Sequence, residues 1–379
     1  MTGTICRLFI HIKILYLAPV IPMAVRIFKY ACPSGWDEML YSAECEGGLL
    51  QSHYWARVLS SIDKAVPYFV RVQEENKIVG QALVMKRYPF DRKKERKVFP
   101  FPYLECLDGP VIFDSQNASL ITEAILRTTL RLARNCLATN VRFSPTHNSK
   151  WNSDGTMANI YKDFGFKKEK WATYLVDLRP KDEKLFKGLE HAARKCVKKC
   201  RHKGLKVIKM RTFQEFKAIY WEAYVRSRKY FGKKANPCFP VMWEEDKKGY
   251  YHYHIVADGD HKVLACLGMY IFNGLATEIA SSISPEAYEK KLPAQDLIHW
   301  EMMLEAKRMG CHTFDLAGVN PDPRTAKEVG IRRFKKKWGG KYVEYNIFQK
   351  NMMPMLTRIG NSARAMRNRF REEIFRLRG

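Results

Sequence analysis

The sequence predicts a mixed α/β protein made of two copies of one domain. Residues 67–85 show the alternating pattern of two strands around a polar turn, and residues 251–272 repeat that pattern. In each half a helical stretch and a short strand follow, the strand at 141–144 in the first half and at 312–316 in the second. The copies lie too far apart for a solenoid repeat, so they indicate a duplicated domain. Two similar domains side by side form a cleft, and ligands usually bind in such clefts.

The composition excludes a disordered chain and favours a polyanionic partner. Of 379 residues, 46% are hydrophobic and 13% aromatic, which is enough for packed cores. The 66 Lys and Arg residues outnumber the 39 Asp and Glu residues, so the formal net charge is +27. A charge of this size favours RNA, nucleotide phosphates or an anionic membrane face. The alternative is a soluble protein from a basic proteome.

The cysteines and histidines predict reduced thiols and no metal site. The ten cysteines include no Cys-x-x-Cys pair, and no acidic or histidine ligand lies near Cys196 and Cys200 in the sequence. His252 and His254 would share one face of a strand, but nothing supplies further ligands. We therefore expect the reducing conditions of the cytosol.

The first residues predict an extension followed by a strand. The apolar stretch at 8–28 is interrupted by charged residues and prolines before it reaches the roughly 20 residues of a membrane span. A signal peptide is the alternative, but no small-residue cleavage site follows the stretch. We predict an N-terminal extension at 1–22, an opening strand at 23–28 and a soluble protein.

Periodicity and turn residues predict the other elements of the first half. Apolar spacing at Leu50, Trp55 and Val58 predicts a helix after the two glycines at 47 and 48. The charged run at 91–97 predicts a solvated turn. The remaining predicted elements are a helix near 36–44, a helix near 117–137, and an aromatic-basic-glycine turn at 164–168 before a last strand.

The second half is predicted to begin near Leu178-Arg179-Pro180, which gives domains at 23–178 and 179–350. Its predicted elements are a helix at 185–202, a strand at 205–210, a helix at 213–230, the hairpin, a strand at 275–282, a helix at 294–309, the strand at 312–316, a turn at 334–340 and a last strand.

The predicted helix at 185–202 has an excess of basic residues before it stops at Gly204. They are Lys187, Arg194, Lys195, Lys198, Lys199 and Arg201. Like charges on one helix repel one another, and a nearby anion relieves that repulsion. The alternative is a solvated face, and the pattern favours neither.

The C-terminal residues 351–379 predict a basic amphipathic helix. Leucine, isoleucine, methionine and phenylalanine recur close to helical spacing, with arginines between them. Such a helix most often docks on its own protein, which is our expectation. The alternative is contact with a membrane surface.

The run from Ile331 to Trp338 contains the one candidate catalytic residue that spacing alone identifies. Helical spacing places Ile331, Phe334, Lys335 and Trp338 on one face. A lysine among apolar groups is desolvated unless it meets an anion, so Lys335 is a candidate oxyanion stabiliser. The alternative is a lysine whose stem covers Trp338 while its head reaches water.

Other catalytic motifs are missing from the sequence. It contains no Gly-x-Ser-x-Gly elbow, no Walker loop and no dinucleotide-binding glycine motif. An acyl-CoA-dependent N-acetyltransferase has a glycine-containing loop that binds the pyrophosphate. At the two equivalent places, 108–118 and 284–295, that glycine pattern is absent, which counts against acyl-CoA as the donor.

Taken together, these pieces resemble the FemABX family, the peptidoglycan-bridge aminoacyltransferases, from about Met23 to Asn351. The resemblance is carried by Gln51-Ser52-x-x-Trp55, the Asp108-Gly109-Pro110 turn and the basic helix before Gly204. Its strongest part is an ordered series in the second half. That series is Ala294-Gln295-Asp296-Leu297, Gly310, Phe314-Asp315-Leu316-Ala317-Gly318-Val319, Gly330-Ile331, Phe334-Lys335 and Gly339-Gly340.

The resemblance implies two acetyltransferase-like (GNAT-like) domains, the first on the acceptor side and the second on the donor side, with a C-terminal return onto the first. It implies transfer of an amino acid from aminoacyl-tRNA, without a further cofactor, to an amine of a nucleotide- or lipid-linked cell-wall precursor. Phe334 and Lys335 match the catalytic pair of the family, so Lys335 would stabilise the tetrahedral intermediate. The family often has an acidic residue before a proline where this chain has Ser144-Pro145.

Further site residues are predicted with that resemblance. Those expected to bind substrate are Gln51, Trp55, Arg57, Tyr103, Ser144 and Trp338, with Arg57 as the candidate phosphate contact. Those expected to bind tRNA are Lys195, Lys198 and Lys199. We expect a cytoplasmic monomer, with peripheral contact at the inner face of the membrane as an open alternative. Two other functions stay open: an N-acyltransferase that uses acyl-CoA or another donor, and a non-catalytic RNA- or membrane-binding protein.

Overall fold

The computed structural model describes residues 23–42, 48–91, 96, 97, 99–146 and 156–354. The predicted extension at 1–22 and nearly all of the predicted C-terminal helix lie outside these residues. The strands are β1 Met23–Lys29, β2 Val66–Glu74, β3 Lys77–Arg87, β4 Phe90–Asp91, β5 Arg96–Lys97, β6 Tyr103–Leu107, β7 Val111–Ile112, β8 Asn140–Ser144, β9 Lys167–Asp177, β10 Lys206–Lys209, β11 Tyr251–Ala257, β12 Val263–Phe272, β13 Leu275–Ile283, β14 Thr313–Asp315 and β15 Lys341–Asn351.

The helices surround these strands. They are α1 Trp36–Ser42, α2 His53–Asp63, α3 Ala118–Asn135, α4 Thr156–Asp163, α5 Asp182–Gly188, α6 His191–His202, α7 Phe213–Glu215, α8 Glu222–Tyr230, α9 Cys238–Glu244, α10 Pro285–Glu289, α11 Ala294–Arg308 and α12 Ala326–Lys336. A π-helical segment at Phe216–Trp221 joins α7 to α8, so that 213–230 is one continuous helix, as predicted. No helix within the described residues is long and apolar enough to cross a membrane.

Both halves contribute to one mixed sheet, and they exchange their last strands. The sheet has the order β1-β2-β3-β6-β8-β15-β9-β14-β13-β12-β11-β10, with β7 beside β3. Strand β9 ends the first half but pairs with β14 of the second, whereas β15 ends the second half and pairs with β8 of the first. The two exchanged strands also pair with each other along most of their length. Each half is therefore completed by a strand of the other.

The apolar residues form three buried clusters, and one of them joins the halves. The shared cluster packs α1, α2 and β2 of the first half against β11 and the helix at 213–230 of the second. Polar contacts cross the same junction: the Tyr54 hydroxyl donates to the Met242 carbonyl at 2.5 Å, and the Asn273 amide donates to the Leu40 carbonyl at 3.3 Å. The junction between the halves is thus a packed core, and the site described below lies at its edge.

Most predicted elements agree with the structure. Both hairpins, the strand at 23–28 and the helices near 117–137 and 294–309 are confirmed within a few residues. Of the turn predicted at 91–97, residues 91, 96 and 97 belong to the short paired strands β4 and β5, and the others lie outside the described residues. Helices α4, α9 and α10 were not predicted.

The prediction of one basic helix at 185–202 is wrong. The chain is extended at Leu189 and Glu190, so α5 ends at Gly188 and α6 begins at His191. The break is held by a contact distant in sequence, because the Glu190 N–H donates to the Lys337 carbonyl at 2.9 Å. A side chain at Gly339 would place its Cβ 2.5 Å from the Gly188 carbonyl oxygen, so only glycine fits this close approach.

Candidate active site

Lys335 is buried at the C-terminal end of α12, as its apolar neighbours predicted. Its side chain is 9% exposed, and its ammonium donates to the carbonyls of Ala317 at 3.0 Å and Gly318 at 3.2 Å. Burial lowers the pKa of Lys335, and the negative charges of Glu278 and Asp315 oppose that shift. The site therefore holds an ammonium that is partly stripped of water and has few compensating charges.

The loop after β14 presents these two carbonyls in a fixed geometry. The Asp315 carboxylate accepts hydrogen bonds from the Ala317 N–H at 2.8 Å and from the Thr173 hydroxyl, and Ala317 adopts a left-handed φ of 59°. Gly318 lies against the Trp171 indole, where an added Cβ would be 2.2 Å from Nε1. Backbone hydrogen bonds between Ala172 and Val319, of 2.7 and 3.1 Å, close the loop onto β9. The acceptors of the lysine are therefore positioned before any ligand binds.

Aromatic side chains pack together beside the end of α12, and the Lys337 ammonium lies over them, 4.1 Å from the centre of the Phe334 ring. The rings of Trp338 and His299 stack with centroids 5.4 Å apart, and Phe334 packs edge-on against His299 at 4.9 Å. His299 is fully buried, with Nδ1 at 2.6 Å from the Gln295 carbonyl and Nε2 at 3.4 Å from the Glu278 carboxylate. Glu278 therefore lies beside His299, and its negative charge also acts on the Lys335 ammonium.

Asp108 is the first half's contribution to this site. It follows β6 with a left-handed φ of 52° and precedes a cis Gly109-Pro110 bond. Burial and repulsion from Asp315 raise the pKa of Asp108 to about 7. The pKa values of Tyr270 and Tyr345 are raised mainly by burial, and the charges of Asp108 and Asp315 raise them further. Asp108 of the first half and Asp315 of the second therefore lie near the same two tyrosines, and the pKa of Asp108 is close to neutral.

Gln51 and Trp55, predicted to bind substrate, are both buried. The Gln51 amide donates to the Leu107 carbonyl, and its oxygen accepts from the Leu83 N–H at 2.7 Å. These contacts brace the turn that carries Asp108. Trp55 belongs to the shared core and is 8% exposed. Direct contact of either residue with substrate stays a prediction.

The other predicted substrate residues lie in several places. Ser144 ends β8 in register with Leu107, so it lies beside the Asp108 turn. Tyr103 begins β6 under the Arg87 guanidinium, which is 5.7 Å from its ring centroid. Arg57 is exposed and donates to the Glu245 carbonyl at 3.3 Å across the junction. Trp338 is 1% exposed and packs against His299 and Phe334.

The predicted tRNA-binding lysines line an open groove. Lys195, Lys198 and Lys199 are exposed on α6, and the groove beside them has a volume of about 410 Å³. His191, Arg194 and His202 complete its lining. The groove has a basic surface suited to an anionic ligand.

Sequence reasoning missed the roles of Asp108, Asp315, Glu278 and His299. Asp108 and Asp315 were noticed only as parts of longer motifs, and Glu278 lies in a strand without a distinctive pattern. Burial and mutual proximity give these residues their significance, and neither property can be observed in one sequence.

Two tandem acetyltransferase-like halves that share one mixed sheet define the fold, and comparison with solved structures agrees. FemX matches with a TM-score of 0.70 at 15% identity, over 88% of this chain and 99% of FemX. A tandem GNAT protein from the clavulanic acid biosynthesis pathway matches with a TM-score of 0.55 at 11% identity, over 86% and 98% of the two chains. A conserved protein of unknown function from Bacteroides thetaiotaomicron matches with 0.52 at 12% identity, over 87% and 99%.

A family model supports the resemblance in the second half of the sequence. Residues 240–358, which include Lys335, match the model of the FemAB family. The matched residues contain the ordered series of motifs that predicted the resemblance. No curated protein matches the sequence.

Proposed function

We propose that this protein is a peptidoglycan-bridge aminoacyltransferase that moves an amino acid from aminoacyl-tRNA to an amine of a cell-wall precursor. The observation that carries this proposal is the buried Lys335 ammonium, which is fixed by two backbone carbonyls and lies near Asp315, the carboxylate whose charge also acts on Asp108. The match of residues 240–358 to the FemAB family model and the FemX-like fold support an aminoacyltransferase in general.

The geometry of Lys335 suits stabilisation of an oxyanion. An ammonium has three N–H donors, and the carbonyls of Ala317 and Gly318 take two of them. The third donor is available for the oxygen that becomes negative when the amine attacks the ester carbonyl. A donor in a water-poor site stabilises that charge more than it would in water.

Asp108 is suited to move the proton in the same reaction. A carboxyl group with a pKa of about 7 is partly ionised at neutral pH, which is the useful range for a general base. It would accept a proton from the attacking amine as the C–N bond forms. It would return that proton to the ribose oxygen as the C–O ester bond breaks, so that protons and bonds balance.

The start of α11 argues against acyl-CoA as the donor. Related acetyltransferases bind the pyrophosphate at a helix N-terminus, but the first turn of α11 contains the buried carboxylate of Asp296. Lys337 forms an ion pair with that carboxylate at 2.5 Å, so the Lys337 charge is not available to bind a pyrophosphate. The neighbouring Gln295 side chain donates to the Ser282 carbonyl. A bound pyrophosphate would have to displace these contacts.

The basic groove on α6 supports a nucleic-acid donor. Helix α6 packs on α11, and the ion pair between Arg201 and Glu301 at 2.7 Å joins the two helices. The charges of Asp296 and Lys337 act on Cys196 of α6, so the groove lies near that ion pair. Phosphate contacts there would make binding of tRNA strongly dependent on salt.

The decisive experiment offers the protein a choice of donors. A mixture of labelled aminoacyl-tRNAs and acyl-CoAs is incubated with nucleotide- and lipid-linked muropeptide precursors, and the products are identified by mass spectrometry. The proposal expects a precursor heavier by one amino acid, formed by the wild-type protein and not by a Lys335→Met control. Transfer from acyl-CoA alone would support the N-acyltransferase alternative instead.

A further inference from the structure

The central strands have a polar, partly open face on the side away from α3 and α4. Alternate residues of a strand point to opposite faces of the sheet. Val141 and Phe143 of β8 belong to the buried cluster under α3. Arg142 and Ser144, which are both half-buried, therefore lie on the other face. Because Ser144 lies beside the Asp108 turn, this face borders the candidate active site.

Strand pairing connects Arg142 to Lys335 across this face. Residues that are opposite one another in neighbouring strands share a face, and the pairing of β8 with β15 places Tyr345 on the same face as Arg142. Tyr345 is opposite Trp171 of β9. The Trp171 indole packs against Gly318, whose carbonyl accepts a hydrogen bond from the Lys335 ammonium at 3.2 Å. Burial mainly raises the pKa of Tyr345, and the Arg142 charge opposes that rise, in agreement with this placement.

The strand geometry determines how far Arg142 lies from the reaction. Arg142 and Lys167 are paired with the same residue of β15, and Trp171 follows four residues (171 − 167) along β9. At about 3.3 Å per residue and about 4.8 Å between strands, the Cα atoms of Arg142 and Trp171 are about 16 Å apart. A ligand that contacts both Arg142 and Lys335 would therefore span on the order of 10–15 Å.

Arg142 has no acidic partner within the part of the chain that the structure describes. Its Nε atom is buried and lacks a hydrogen-bond partner there. Glu105, which is opposite Arg142 on β6, forms an ion pair with Arg87 instead. Gln349, which is opposite on β15, donates to the Glu169 carboxylate at 3.3 Å. A half-buried guanidinium without a counter-charge is costly, and an anion from outside the chain would remove that cost.

We infer that Arg142 binds a carboxylate of the acceptor and selects acceptors that carry one on the order of 10–15 Å from the reacting amine. This inference rests on the proposed function and adds a specificity-determining residue to it. A guanidinium binds a carboxylate through two parallel N–H···O hydrogen bonds. The acidic side chains of Glu105 and Glu169 on the same face disfavour a group with more than one negative charge, such as a phosphate.

The test measures binding of the acceptor in the absence of any donor. Calorimetry compares a muropeptide precursor whose peptide ends in a free carboxylate with the same precursor ending in a carboxamide. The wild-type protein should bind the carboxylate form about tenfold more tightly or better, because a hydrogen bond between charged groups is stronger than one to a neutral group. Arg142→Gln should bind both forms as weakly as the wild type binds the carboxamide.

A second variant and a control separate recognition from general charge. Arg142→Lys should keep only part of the preference, since lysine retains the charge but not the two parallel donors. The matched control is Arg131→Gln, a half-buried arginine of α3 on the other side of the sheet, and it should keep the full preference. In transfer assays the preference should appear mainly in the KM for the acceptor.

Four outcomes would overturn the inference: no binding of either form, equal affinity of the wild type for both, equal losses of both forms in Arg142→Gln, or the same loss of preference in Arg131→Gln. Amino-acid transfer by a wild-type protein that shows no preference for the carboxylate form refutes the inference alone. Absence of transfer from every aminoacyl-tRNA, with the carboxylate preference intact, refutes the proposed donor and leaves the role of Arg142 supported.

Discussion

Asp108→Asn is expected to stabilise the protein while it lowers the rate of transfer. Burial and Asp315 raise the pKa of Asp108 from 3.8 to about 7. Between these values the unfolded chain has already lost the proton that the folded protein still holds. The unfolded state therefore binds fewer protons, and the free energy of unfolding falls as pH rises from about 4 to 7. Asparagine removes this dependence and can still accept the hydrogen bond from the Leu50 N–H.

The size of the effect follows from the pKa difference. Three pKa units correspond to about 4 kcal/mol when the carboxyl is fully ionised, and about 2–3 kcal/mol of this develops between pH 5 and pH 8. The difference in unfolding free energy between Asp108→Asn and wild type should therefore be about 2–3 kcal/mol larger at pH 8 than at pH 5. Urea unfolding followed by tryptophan fluorescence measures it.

The control for this prediction is Asp260→Asn, in the exposed turn between β11 and β12. It should show no comparable change between pH 5 and pH 8. A gain for Asp108→Asn that is the same at both pH values would refute the argument, because it would show that the Asp108 carboxyl is not held neutral by the fold. Unchanged transfer at neutral pH would refute its role as a base.

The remaining predictions concern the lysine, its electrostatic partner and the donor. Lys335→Met should keep the fold and reduce the maximal transfer rate on the order of 10²–10³-fold, with little change in binding of either substrate. The Glu278 charge raises the Lys335 pKa, so Glu278→Gln should lower that pKa further. The alkaline limb of the pH–rate profile should then move to lower pH. Replacing Lys195, Lys198 and Lys199 with alanine should weaken tRNA binding and flatten its salt dependence by about one unit per lost contact. Calorimetry with acetyl-CoA should detect no micromolar binding.

Controls accompany these measurements. Lys336→Met changes the exposed neighbour of Lys335 and should leave the rate near wild type. Loss of acceptor affinity at an unchanged maximal rate would make Lys335 a phosphate anchor rather than an oxyanion stabiliser. An unchanged salt slope in the triple-lysine variant would make α6 a solvated face, and micromolar affinity for acetyl-CoA would overturn the choice of donor.

Local patterns predicted those parts of the fold in which neighbours in sequence are neighbours in space. Hairpins β2–β3 and β11–β12 pair residues that are close along the chain, so alternation alone located them. The exchange of β9 and β15 joins residues from opposite halves, as in the pairing of Phe348 with Phe143, and no local signal encodes it. The break between α5 and α6 has the same origin, because the contact of Glu190 with Lys337 overrides a helical pattern.

The site shows the same division. The burial of Lys335 could be predicted from the apolar residues of its own helix, although one of them, Ile331, is 37% exposed. The raised pKa of Asp108 depends on Asp315, which lies in the other half of the chain. Sequence reasoning therefore identified the buried lysine but not the buried carboxyl group whose pKa is raised.

The exchanged strands also determine how this molecule can respond to its substrates. Helix α12, which carries Lys335, leads through a short turn into β15, and β15 pairs with β8. Strand β8 in turn pairs with β6, whose end carries Asp108. A series of paired strands, β15, β8 and β6, thus connects the end of the helix that carries Lys335 to the turn that carries Asp108. Substrate should therefore not trigger a closure of one half onto the other, and adjustment to different acceptors should be confined to side chains and loops at the rim.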